Sequence, residues 1–148
     1  MGELPSQEPR RVEVSGPATG FRTEVEVGGH RLVVDEPIAV GGVDAGPTPY
    51  EMLLAGLGAC TAMTLRLYAD RRKWPLERAR ISLQHRKVHA QDCVDCVTKP
   101  AKMDVVDRVI TLEGALTEEQ RAKLLEIAER CPVQQTLGGK IQVNTKLV

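Results

Sequence analysis

The chain has 148 residues, of which 42% are hydrophobic and 27% charged, a composition typical of one globular domain and unlike that of disordered or collagenous chains. Lysine plus arginine and aspartate plus glutamate each number 20, so the formal net charge is zero. Because no long-range field attracts an anionic polymer or surface, and only 3% of residues are aromatic, we expect neither nucleic acid nor a membrane as a partner.

The N-terminal segment and the cysteines indicate the compartment. Residues 1–10 contain two prolines and scattered charge but no apolar stretch, which predicts a flexible tail before a single domain over residues 11–148 and no secretion signal. We therefore expect a cytoplasmic protein. Four cysteines in a reducing compartment are catalytic, metal-binding or inert more often than disulfide-bonded.

Three strands are predicted in the first third of the chain. Residues 11–14, 21–27 and 30–35 alternate apolar and polar side chains, with the period of two that is typical of strands. Gly28 and Gly29 separate the last two segments, as in a two-residue hairpin turn.

A long helix is predicted after a loop rich in glycine and proline. Thr48 is placed as the N-cap, Pro49 occupies the first helical position, and Glu51 completes a capping box. The helix is expected to end near Trp74, where a proline follows. The uncharged run 52–65 has 14 residues, whereas about 20 are needed to span a bilayer, so this helix is predicted to lie in the core.

The remaining sequence predicts two strands, a second helix and a final strand. Residues 80–90 and 103–114 are rich in valine and isoleucine and are expected to pair as an antiparallel hairpin. A second capping box at Thr117 opens a helix that ends near Cys131. Residues 140–148 are predicted to form the last strand. This order, with hairpins in place of strict βαβ alternation, predicts an α+β fold.

The long helix has little polarity on any side. Helical spacing places Cys60 on one face with Leu57 and Thr64, while small residues form a stripe on the opposite face. The members of that stripe are Ala55, Gly58, Ala62 and Ala69. Because such a helix must be covered nearly all round, we expect a homodimer that packs about it.

Three local motifs form a recognisable set. They are Gly46-Pro47-Thr48-Pro49-Tyr50-Glu51, then Leu53-Leu54-Ala55 with Gly58-Ala59-Cys60, and later Cys131-Pro132-Val133. Together they resemble the OsmC/Ohr family of osmotically inducible and organic-hydroperoxide-resistance proteins, and the OsmC-like branch most closely. The resemblance extends over nearly all of residues 11–148. It implies an α+β OsmC-like fold with antiparallel sheets, a long central helix, a second helix, and an intertwined homodimer with active sites at the subunit interface.

The resemblance also implies an activity, that of a cofactor-free thiol peroxidase that reduces organic hydroperoxides to alcohols. By analogy Cys60 is the peroxidatic cysteine and Cys131 the resolving one. A thiolate attacks the O–O bond, and a second thiol traps the resulting sulfenic acid before over-oxidation. A dithiol or lipoyl-type reductant then reopens the disulfide. A dimer of the same fold that binds a small apolar ligand, or acts only as a redox sensor, is the alternative.

An ionised thiol in an apolar pocket requires a cation beside it and a carboxylate to hold that cation. By resemblance Glu51 is the carboxylate, and Arg22 is the best positional match for the cation, with Arg31 as the alternative. Glu51 precedes Cys60 by nine residues, which places the two side chains on opposite faces of a helix and about 13.5 Å apart along its axis. A shared site would therefore take Glu51 from the partner subunit. Glu51 as a helix cap and Arg22 as a solvated strand residue are the structural alternatives.

The motif Cys93-Val94-Asp95-Cys96 is not explained by the resemblance. An exposed loop with a reversible disulfide or no function, a zinc site with His89 as third ligand, and an auxiliary thiol relay all remain open. His85 and His89 are about 13 Å apart on a strand, so both cannot bind one ion. We do not expect a metal in the active site.

Overall fold

The computed structural model describes residues 10–89 and 102–148. The predicted tail, apart from Arg10, and the Cys93 to Cys96 motif lie outside the described residues. The chain divides into two compact units at the junction of Met52 and Leu53.

The first unit contains a three-stranded antiparallel sheet. Its strands are β1 (Val12–Ser15), β2 (Thr23–Val27) and β3 (His30–Val34), in the order β1-β2-β3. Gly28 and Gly29 have φ of 55° and 79°, and positive φ at both positions gives a hairpin turn whose twist matches that of the strands. The three predicted strands and the hairpin are confirmed.

A buried carboxylate organises the loop after β3, which includes a short 3-10 helix at Ile38–Val40. Asp35 is 2% exposed and accepts hydrogen bonds from the backbone N–H groups of Glu36, Val43 and Ala45 at 2.8, 3.2 and 3.0 Å. The bond from Ala45 is the largest cause of a lowered pKa of the Asp35 carboxyl, although burial opposes the shift. The loop is thereby held in one conformation as it approaches the long helix.

The long helix α1 (Pro49–Arg72) begins as the sequence predicts. The Thr48 N–H donates to Glu51 Oε2 at 2.8 Å, and the Glu51 N–H donates to Thr48 Oγ1 at 3.2 Å. This reciprocal pair is a complete capping box. The helix ends two residues before the predicted Trp74, because Lys73 adopts a left-handed φ of 54°.

The second unit holds a long hairpin and two further helices. Strands β4 (Arg78–His89) and β5 (Lys102–Glu113) pair antiparallel, as predicted. Helix α2 (Glu118–Ala128) follows, and the predicted capping box between Thr117 and Gln120 is present in both directions.

The C-terminal part of the chain differs from the prediction. A short helix α3 (Pro132–Leu137), with Cys131 as its N-cap residue, was not predicted. The predicted strand over residues 140–148 is wrong, since that segment is exposed and has no regular secondary structure. Alternation at Ile141 and Val143 is typical of a strand, but none of the described strands pairs with this segment, and an unpaired strand has no ladder hydrogen bonds.

The core of the second unit lies between α1, the hairpin and α2. Leu65 and Leu124 are fully buried there, and Trp74 packs against the same cluster. The other buried members are Ala69, Leu76, Ile127 and Ala128. A Cβ added at Gly58 would lie 2.8 Å from Leu83 Cδ1, so α1 packs tightly on β4.

Only one side of α1 is covered in the single chain. Leu65 and its buried neighbours form that side, whereas Leu53, Met63 and Leu67 remain 46%, 70% and 53% exposed. Gly58 and Ala69 of the small-residue stripe are among the buried residues. By length and composition α1 could also cross a membrane, and 28% of its most apolar window is buried. Core helices of assembled soluble proteins share these properties.

Candidate active site

Two cysteines about 70 residues apart meet in the second unit. Cys60 lies in the middle of α1 and is partly buried, and Cys131 caps α3 and is fully buried. Both are free thiols, and each lies near enough to the other to shift its pKa. Packing of α2 against α1 therefore places Cys131, which follows α2, near Cys60.

The surroundings of Cys60 favour its protonated form within one chain. Burial is the main cause that raises the pKa of the Cys60 thiol, and the hydrogen bond with Cys131 raises it further. The backbone of Val133 and the hydroxyl of Thr64 act in the opposite direction without reversing the shift. A thiolate at Cys60 would therefore need an added cation.

The surroundings of Cys131 have the opposite effect. Burial alone would raise its pKa, but hydrogen bonds from Cys60, from the backbone N–H groups of Gln134 and Val133, and from the Thr61 hydroxyl outweigh burial and lower it.

A largely buried arginine contacts Thr61, the residue after Cys60. Arg108 Nη1 donates to Thr61 Oγ1 at 3.0 Å, and Arg108 Nη2 donates to Glu129 Oε1 at 3.0 Å. The Arg108 side chain is only 10% exposed, whereas that of Glu129 is 60% exposed. Leu57 and Leu137 join this ion pair in lining a groove of about 400 Å³. Arg108 was not predicted as a site residue.

Glu129 also fixes the turn that carries Cys131. It is the C-cap residue of α2, and its carboxylate accepts a hydrogen bond from the Gln134 side chain. The Gln135 side chain donates to the Glu129 backbone carbonyl at 2.8 Å. The segment between α2 and α3 is thereby tied to both helices and, through Arg108, to β5.

The other predicted site residues lie in the first unit. Glu51 is engaged in the capping box, and Arg22 forms an exposed ion pair with Glu24 at 3.0 Å. Arg22 and Arg31 both line a shallow cavity of about 620 Å³ on the three-stranded sheet. Their assignment to the thiol chemistry stays a prediction.

The metal hypothesis concerns residues beyond the described part of the chain. Cys93 and Cys96 are outside it, and residues 10–89 and 102–148 contain no group of three or more potential metal ligands. His85 is hydrogen-bonded to Asp104 at 2.8 Å, which lowers the pKa of that carboxyl.

Comparison with known proteins identifies the family. The OsmC-like protein family matches residues 42–146. The chain belongs to the OsmC-like family.

Solved structures confirm the fold of this OsmC-like chain. An OsmC-like protein from Mycoplasma pneumoniae has a TM-score of 0.70 at 18% identity, covering 95% of this chain and 98% of that one. An organic hydroperoxide resistance protein OsmC from Legionella pneumophila has a TM-score of 0.65 at 19% identity, covering 90% and 92%. The organic hydroperoxide resistance protein OhrB of Bacillus subtilis has a TM-score of 0.61 at 18% identity, covering 89% and 92%. A search of curated proteins found no significant match. The predicted α+β fold, with antiparallel sheets and a long helix, is confirmed.

The OsmC-like motifs identified both cysteines but gave no indication of Arg108. A signal was present in β5, where Arg108, Ile110 and Leu112 are the partly buried residues of an alternating pattern. An arginine on the apolar face of a strand requires a polar partner inside the fold. That partner, Thr61, lies 47 residues away in the sequence.

Proposed function

We propose that this OsmC-like protein is a thiol-dependent peroxidase that reduces organic hydroperoxides to alcohols, with Cys60 as the peroxidatic and Cys131 as the resolving cysteine. The observation that carries the proposal is that Cys60 and Cys131, about 70 residues apart in the sequence, lie near enough for each thiol to shift the pKa of the other. It supports the proposal because a sulfenic acid formed at Cys60 would have a second thiol nearby to resolve it. Organic hydroperoxide resistance proteins share the fold.

The electrons pass only between the two sulfur atoms, the hydroperoxide and an external dithiol. The Cys60 thiolate attacks one peroxide oxygen, the O–O bond breaks, and the departing alkoxide is protonated to the alcohol. The Cys131 thiolate then attacks the sulfenic sulfur, the S–S bond forms, and hydroxide leaves and is protonated to water. A dithiol or lipoyl-type reductant exchanges with the disulfide, restores both thiols and is itself oxidised. No cofactor is needed.

Ionisation of the Cys60 thiol is unfavourable within a single chain. Its burial raises the pKa, so the proposed mechanism needs a cation at the sulfur, for which we assign Arg22, with Arg31 as the alternative. Glu51 would orient that arginine and would come from the partner subunit. A monomer is then expected to be inactive.

A homodimer is proposed on the exposed side of α1. Leu53, Met63 and Leu67 are apolar and uncovered in one chain, and covering them removes a large apolar surface from water. We expect a cytoplasmic dimer. Light scattering after size-exclusion chromatography should give twice the mass of the 16.2 kDa chain, and a monomeric mass together with full activity would contradict the shared site.

Turnover of cumene hydroperoxide with dihydrolipoic acid as reductant tests the activity. Cys60→Ser should abolish consumption, because no other sulfur is assigned to attack the peroxide. Cys131→Ser should consume one hydroperoxide to form the sulfenic acid at Cys60 and a second to form the sulfinic acid, and then stop. The control, Cys93→Ser with Cys96→Ser, should retain turnover.

Two results would contradict the peroxidase proposal. One is unchanged turnover in Cys60→Ser, which would exclude this sulfur as the nucleophile. The other is a wild-type protein that is oxidised once by the hydroperoxide but is never recycled by any dithiol, which would favour the non-enzymatic redox sensor.

A further inference from the structure

We infer that Arg108 is a positioning residue for the Cys60 and Cys131 pair, because it bridges the residue after Cys60 to the turn that ends at Cys131. This bridge determines how readily the two sulfur atoms form a disulfide. Its value in resolving a sulfenic acid rests on the proposed function, whereas the bridge itself is a geometric property of the chain.

The hydrophobic core holds α2 but ends before the second cysteine. Ala128 is the last residue of α2 and, in chain order, the last buried member of the core cluster. Glu129 and Arg130 follow it and are exposed, and Cys131 is buried again. Apolar packing of α2 therefore does not by itself fix the path of the chain from the helix to Cys131.

Arg108 supplies a polar anchor at that point. Its Nη2 donates to Glu129 Oε1 at 3.0 Å, and its Nη1 donates to Thr61 Oγ1 at 3.0 Å. Thr61 directly follows Cys60 in α1. Glu129 lies two residues before Cys131. Because a guanidinium is planar and presents its donors in a fixed fork, it limits how far the two cysteine-bearing segments can move relative to each other.

Both ends of the bridge are fixed to their own segments. The fully buried Thr61 hydroxyl donates its proton to the Leu57 carbonyl at 2.8 Å, which leaves its oxygen free to accept from Arg108. At the other end, the Glu129 carboxylate also accepts from the Gln134 side chain. Displacement of either segment would break a charge-assisted hydrogen bond of the Arg108 side chain, which is only 10% exposed and for which such a loss is costly.

Disulfide formation is sensitive to this geometry. A disulfide places its sulfur atoms about 2.05 Å apart and allows a narrow range of Cα separations, so thiols held near that geometry lose less entropy when they are joined. When Cys60 and Cys131 form the bond, they lose two protons and two electrons in total. One molecule of oxidised glutathione accepts them and becomes two reduced molecules. Loss of Arg108 should therefore shift this equilibrium toward the two thiols.

Equilibration with glutathione redox buffers tests the inference without any hydroperoxide. In the full chain carrying Cys93→Ser and Cys96→Ser, Cys60 and Cys131 are the only cysteines, and alkylation followed by mass spectrometry gives the oxidised fraction. Adding Arg108→Met should make the disulfide about tenfold less stable relative to glutathione, which equals a rise of about 30 mV in its reduction potential.

Variants of Thr61 show whether the bridge acts as a unit, and they provide the test should Arg108→Met fail to fold. Thr61→Val removes the acceptor and should raise the potential as Arg108→Met does, whereas Thr61→Ser retains the hydroxyl and should keep the wild-type value. The double variant Thr61→Val with Arg108→Met should show little further rise, because either substitution alone breaks the bridge. Additive rises in the double variant, or an equal rise in Thr61→Ser, would overturn the inference.

The matched control is Arg121→Met. Arg121 also joins two parts of the fold through both arms of its guanidinium, since it donates from α2 to the backbone carbonyls of Leu112 and Gly114 at 2.9 and 3.2 Å. Neither partner neighbours a described cysteine in the sequence, so the disulfide potential should stay at the wild-type value. An equal rise in Arg121→Met would show that general loosening of the fold sets the potential, and would also overturn the inference.

Hydroperoxide turnover separates this inference from the peroxidase proposal. If Arg108→Met raises the potential but wild-type protein consumes no cumene hydroperoxide, the peroxidase proposal fails and the positioning role stands. If wild type turns over the hydroperoxide and Arg108→Met leaves the potential unchanged, the positioning role is overturned and the peroxidase proposal stands. A wild-type pair that remains reduced in every buffer would overturn both.

Discussion

Leu124→Ala tests whether α2 is held against α1 by the core that brings the two thiols together. Leu124 is fully buried in that cluster. Removing three carbon atoms costs about 2.4 kcal/mol of transfer free energy at ~0.8 kcal/mol each, and the remaining cavity adds roughly 1–2 kcal/mol. We therefore expect a loss of about 3.4–4.4 kcal/mol in the free energy of unfolding, or a fall in Tm of about 7–18 °C for a chain of this size.

Urea unfolding followed by fluorescence of Trp74 measures this loss, because Trp74 is the single tryptophan and packs against the cluster. Wild type and variants must be compared at one protein concentration, since dimerisation adds to apparent stability. The control is Leu125→Ala, one residue further on α2 and 58% exposed, which should cost less than about 1 kcal/mol. A loss below about 1 kcal/mol in Leu124→Ala would refute the assigned core.

Three further predictions concern the loop, a tight turn and the helix cap. Asp35→Asn should lower Tm at pH 7 more than Asp44→Asn, an exposed change in the same loop, does. Because the folded-state pKa of Asp35 is lowered, the ionised carboxylate stabilises the fold above pH ~4, and this stabilisation is lost as the pH falls through the folded-state pKa. The difference in Tm between wild type and Asp35→Asn should therefore become smaller in acid. Gly114→Ala should cost at least roughly 1–3 kcal/mol in urea unfolding, because φ is 133° and the new Cβ would lie 2.0 Å from a backbone oxygen, whereas Gly16→Ala, with open space around it, should be nearly neutral. Glu51→Gln keeps a capping acceptor but removes the charge, so Tm should hold while peroxidase turnover falls; unchanged turnover would leave Glu51 as a cap only.

Local signals predicted most of the elements. The glycine pair before His30, the two capping boxes at Thr48 and Thr117, and the valine-rich strands all specify structure through residues that are neighbours in the sequence. The structure confirms each of them within one to three residues of the predicted bounds.

The errors arise where a local pattern needs a distant partner. Alternation over residues 140–148 indicated a strand, but strand formation depends on a neighbour that the pattern does not specify. Pro132 just after Cys131 is a helix-start signal, since proline is favoured at the first helical position, and it would have predicted α3. Arg108 was missed because its partner Thr61 lies on another element.

The meeting of the two thiols could be predicted from the family motifs, but their relative acidity could not. The spacing of Cys60 and Cys131 in the sequence says nothing about which sulfur accepts hydrogen bonds. That difference depends on Thr61 and on the backbone N–H groups of Val133 and Gln134, which the fold places around Cys131.

The most direct test of the account is peptide mass spectrometry after one equivalent of cumene hydroperoxide is added to the fully reduced protein. The account predicts one disulfide per chain, joining the peptide that contains Cys60 to the peptide that contains Cys131, with a mass loss equal to two hydrogen atoms. A disulfide confined to Cys93 and Cys96, or sulfinic acid at Cys60 with Cys131 still reduced, would contradict it.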